Sequence, residues 1–172
     1  MDSRTLDAWR ELLDPLVDHQ RILANPAEMT ANLKAYADFR ERRAKLAAWT
    51  DFSTWALALA ADYPDRDEPE RARIRAELAQ RPALRVALYG VIEEAMARAR
   101  EAADRELARR CLWLLAMRDH GANDITACFQ VNDLFHLFRE LGERPDEVFA
   151  VTAGLSGPQL ANQLERFTPY FC

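Results

Sequence analysis

From Leu84 to Leu115, apolar residues return every three or four positions: Leu84, Leu88, Val91, Ile92, Ala95, Met96, Ala99, Ala103, Leu107, Leu114 and Leu115. That spacing lays one apolar stripe along a helix and does not fit the two-residue alternation of a half-buried strand. Pro82 stands where a helix begins and Gly121 where one stops in the left-handed conformation, so the pattern predicts a central helix over about 82–120. The rest of the chain is built alike. Only five glycines interrupt a sequence rich in Ala, Leu, Arg and Glu, and runs of Val, Ile and Thr are missing. The expected fold class is all-α: an irregular bundle of six to eight helices around the central one, in a single helical domain over 1–172. A chain of 172 residues supports one full core and not comfortably two.

Local signals mark the other helices. Asp2 or Ser3 caps a first helix carrying Leu6, Trp9, Leu12 and Leu13 on one face, which Pro15 kinks or restarts. Asn25-Pro26-Ala27-Glu28 reads as a cap, a first-turn proline and a returning acid, opening a helix that runs toward Trp49. Thr50 or Asp51 restarts the chain. The stretch Tyr63 to Glu70, polar and with two prolines, is the clear loop, and a helix from Glu70 to Gln80 follows it. Asn123 or Asp124 caps a helix that ends at Gly142, and Pro145 to Ala153 forms a short one closed by Gly154.

Charge and cysteine usage narrow the function classes. Net charge is −5, yet residues 71–110 carry ten arginines against six acids, while both flanking segments are acidic. Such blocks neutralise one another inside one fold, or leave a basic face for an acidic partner. Arginine far outnumbers the two lysines, which reads as a GC-rich and hence bacterial genome. Cys111, Cys128 and Cys172 are odd in number and lack CxxC spacing, which argues against a disulfide framework or a structural zinc site. No stretch approaches the roughly 18 uncharged apolar residues that span a bilayer, and the opening MDSRTLDAWRELLD has no apolar signal core. The expected location is cytoplasmic, with no membrane association.

Catalytic signatures are missing. The glycines at 90, 121, 142, 154 and 157 form no phosphate-binding loop, and no GxSxG or HExxH occurs. Asp133-Leu-Phe-His136 has the acid-x-x-His spacing of a carboxylate-bridged di-iron bundle, but Asp18-His19 cannot supply the second pair and nothing partners Glu93 and Glu94 at the right step. No catalytic, cofactor or metal residue is therefore assigned. Asp133, His136 and Trp113 are the candidate pocket residues should the helices enclose a ligand. A plain core explains the aromatic set (Trp9, Trp49, Trp55, Trp113, Phe129, Phe135, Phe138) equally well.

From Glu147 the chain reads EVFAVTAGLSGPQLANQLERF. Ala150, Gly154, Leu155, Ser156, Leu160 and Leu164 take the small, turn-glycine, apolar, cap and apolar positions of a helix-turn-helix, which the hairpin at about 145–167 resembles. The resemblance implies a recognition helix exposing Gln159, Asn162, Gln163 and Arg166 to a major groove, as in a transcriptional regulator. Residues 131–172 hold six acids against three arginines, so this helix gains little from neutralising phosphates, and duplex DNA is not the expected partner. The expected function is instead that of a non-enzymatic helical adaptor, regulator or assembly factor working through protein–protein contacts. The partners include a second copy of the chain, since Ala95, Ala99, Ala102 and Ala103 allow close helix approach in a homodimer or within the fold. The transcriptional regulator is the first alternative, and a ligand-binding or catalytic bundle the second.

Overall fold

The computed structural model describes residues 3–14, 37–117 and 125–153. Every regular element among the described residues is helical, and no strand occurs among them. In chain order they are α1 (Ser3–Ala8), α2 (Arg10–Leu13), α3 (residues 37–43), α4 (Ala47–Asp62), a 3-10 turn (Tyr63–Asp65), α5 (Glu68–Ala79), α6 (Pro82–Ala102), α7 (Arg105–Ala116), α8 (Ile125–Glu140) and α9 (Pro145–Ala153). The all-α bundle read from the sequence is the fold. No helix of the described residues is long and apolar enough to cross a membrane.

The expected continuous helix over 82–120 is two helices. Ala103 takes the left-handed conformation (φ 51°, ψ 39°), and the Asp104 amide donates to Ala99 O at 2.9 Å, closing the last turn of α6. The Asp104 carboxylate then accepts from the Leu107 amide at 2.9 Å and caps α7. Cys111 lies across from Ile92, its Sγ 3.9 Å from the carbonyl oxygen, so α7 doubles back along α6. The helix expected to run toward Trp49 also breaks. Residues 44–45 form a turn tightened by Lys45 N to Arg42 O and Leu46 N to Arg43 O, both 3.0 Å, and Leu46 is extended before α4 begins at Ala47. The loop expected over 63–70 is shorter than read. Its first half is the 3-10 turn, and Asp67 caps α5 by accepting from the Glu70 amide at 2.9 Å. The signals at Asn25, Pro15, Gly121, Asn123, Asp124 and Gly154 lie outside the described residues.

Helices α6 and α7 form the centre. α7 packs on α4, α6, α8 and α9, while α6 also meets α2, α4, α5 and α8. The interface is lined by Leu88 and Ile92 of α6, Leu114 and Leu115 of α7, Phe52 of α4 and Phe138 of α8, all fully buried. Each such side chain contributes about 1.5–3 kcal/mol by leaving water. Ala56, Ala60, Ala87, Ala95, Ala99 and Ala108 are buried among them, and their small size lets the helix axes approach. Ala95 and Ala99 are thus packed within one chain, the second of the two places read for them. Ala102 and Ala103 are exposed.

Candidate functional site

Two polar clusters interrupt the apolar packing. In the first, α3 lays Arg43 on α6 with only 4% of its side chain exposed. A charge that deep requires pairing. Its Nε donates to Glu94 Oε1 at 2.9 Å, and Nη1 and Nη2 donate to Glu93 Oε2 at 3.1 and 3.2 Å. Arg40 pairs with the other oxygen of Glu93. Trp49 Nε1 donates to Glu94 Oε2 at 2.9 Å, and the Arg43 guanidinium sits 5.2 Å from a Trp49 ring centroid. Gly90 makes this approach possible. A Cβ at that position would stand 2.8 Å from both Arg43 Nη1 and the Trp49 ring. Two arginines meet two carboxylates here, and the cluster fastens α3 and α4 to α6 as a clamp.

The second cluster is a cleft between α4, α5 and the start of α6, enclosing about 150 Å³. Its floor is apolar: Trp55 and Leu59 from α4, Ile74 and Leu78 from α5, and Leu84 from α6. Its rim carries Arg66, Arg73 and Arg81 with one acid, Glu77. Helical geometry explains the arrangement. Positions 73 and 77 step by four along one row of α5 beside the row of Ile74 and Leu78, and Arg81 follows in the turn between α5 and α6. Trp55 packs against two other rings, 5.0 Å from Trp9 and 5.7 Å from Phe52.

The rim arginines are loosely engaged. Arg66 reaches Glu70 at 3.6 Å and Arg81 reaches Glu77 at 3.9 Å, both beyond hydrogen-bond distance. Arg66 Nε and Arg81 Nη1 are buried donors with no acceptor among the described residues. Arg73 is exposed and makes no ion pair among the described residues. Several arginines elsewhere are firmly paired: Arg75 donates to the Tyr63 hydroxyl at 2.8 Å and pairs with Glu68, Arg100 holds Glu140 at 2.7 Å, and Arg109 holds Glu143 at 2.6 Å, whereas Arg71 and Arg110 meet Glu68 and Glu106 only at 3.5 Å.

Of the candidate pocket residues read from the sequence, Asp133 and His136 lie together on α8, both exposed, and Trp113 on α7 packs its ring 5.6 Å from Tyr63. Although Asp133 is exposed at the surface, the packing around its carboxyl removes enough water to raise it above its ordinary value; Arg100 and His136 oppose the rise, and Glu93 adds to it. Glu93 reaches Asp133 through its charge, and no group of three or more His, Cys, Asp or Glu residues is placed for a metal among the described residues. Burial pushes the Cys111 thiol up to about 12, so it stays protonated and is no nucleophile. Gln159, Asn162, Gln163 and Arg166 lie outside the described residues, and α9 is the described part of the helix-turn-helix-like hairpin. The cleft itself was missed by sequence reasoning. The four-residue step of Arg73, Glu77 and Arg81 beside Ile74 and Leu78 was its one legible trace.

No family model, curated protein or solved structure matches this chain.

Proposed function

We propose that the chain is a non-enzymatic helical adaptor or regulator, acting in the cytoplasm through protein–protein contacts, and that the cleft between α4, α5 and α6 grips its partner. The observation that supports this is the pairing of three loosely engaged guanidiniums with an apolar floor around a half-buried tryptophan. Arginine and tryptophan anchors of this kind carry most of the energy where proteins meet, because they bury large areas and still direct hydrogen bonds. The chemistry favours a partner that presents an apolar side chain beside a negative charge. A second copy of this chain belongs among the partners to be tested.

Affinity capture with the intact protein, run beside an Arg73→Glu/Arg81→Glu variant, tests the reading. Proteins retained by the wild type and lost by the variant are expected, with circular dichroism showing both equally helical. Identical retention by the two would remove the cleft from the interaction. Sedimentation at micromolar concentration decides the self-partner: a species of one chain mass, 19.7 kDa, excludes a homodimer under those conditions.

A further inference from the structure

We draw no further inference here: the strongest candidate, the half-open cleft between α4, α5 and the start of α6, belongs to the site already described, and nothing in the structure shows what covers its apolar floor.

Discussion

Gly90 sits mid-helix in α6, where alanine is intrinsically favoured by about 1 kcal/mol. Its surroundings reverse the sign. An added Cβ would meet Arg43 and the Trp49 ring at 2.8 Å, and Arg43 cannot retreat without releasing Glu93 and Glu94. Gly90→Ala should therefore destabilise the protein by about 1–3 kcal/mol, read as a lower urea midpoint, and a midpoint at or above the wild type's would refute the clamp. Asp133 offers a second test at this scale, through pH. Because partial loss of water around it raises its carboxyl in the folded state, the ionised form is disfavoured there. The neutral form's contribution is present at acid pH and is lost as pH rises through the folded-state value. Asp133→Asn should accordingly gain stability relative to the wild type as pH climbs from the ordinary carboxylate range toward neutrality. Denaturant melts at several pH values follow this, and a constant difference would contradict it. Neither Gly90 nor Arg43 was legible as special in the sequence. A glycine in an alanine-rich helix and an arginine in a run of arginines acquire meaning only when α3 and α6 meet.

Element boundaries were legible wherever residue type and backbone need agree. Gly142, read as the stop after α8, has φ 74°, and the amides of Gly142 and Glu143 donate to Arg139 O and Phe138 O at 3.0 and 2.9 Å. Pro82 opens α6 as read. The break after α6 has the same bonding, with Asp104 N to Ala99 O at 2.9 Å, but alanine occupies the left-handed position. A stripe that continues through Ala103 to Leu107 conceals it. The left-handed conformation costs an L-residue about 1–2 kcal/mol, a strain that glycine lacks. Ala103→Gly should therefore raise stability by up to about 1 kcal/mol, seen as an increase in Tm. Asp104→Ala, which removes the α7 cap, should lower it by about 1 kcal/mol. Were the hairpin an incidental kink in a single long helix, the glycine would instead destabilise it.

Over the whole molecule, half of the ten arginines of residues 71–110 (Arg71, Arg75, Arg100, Arg105 and Arg109) meet acids from outside that block, as the alternating charge blocks imply. Glu140 and Glu143 at the end of α8 hold Arg100 and Arg109, and the Arg105 Nε donates to Leu141 O at 3.1 Å. The cleft could not be read the same way. Its walls come from residues 55 to 84 on three helices, and charged positions four apart look like an ordinary solvated face until α4 and α6 close around them.

This internal pairing bears directly on nucleic acid. Counterion release scales with the number of phosphates a protein neutralises, and arginines already held by carboxylates release little. At α9 the opposition is local: Arg144 pairs with Asp146 at 3.4 Å and with Glu147 at 2.7 Å. Duplex DNA should therefore produce no retarded complex in a mobility-shift titration at physiological salt, and at low salt only a weak, salt-sensitive one. A Gln159→Ala/Asn162→Ala/Gln163→Ala variant separates the alternatives. A wild-type complex lost in that triple variant would replace the adaptor with a DNA-binding regulator. Retardation that survives it but disappears on reversing Arg73 and Arg81 would trace to the cleft, whose rim arginines then attract phosphate as they would any other anion.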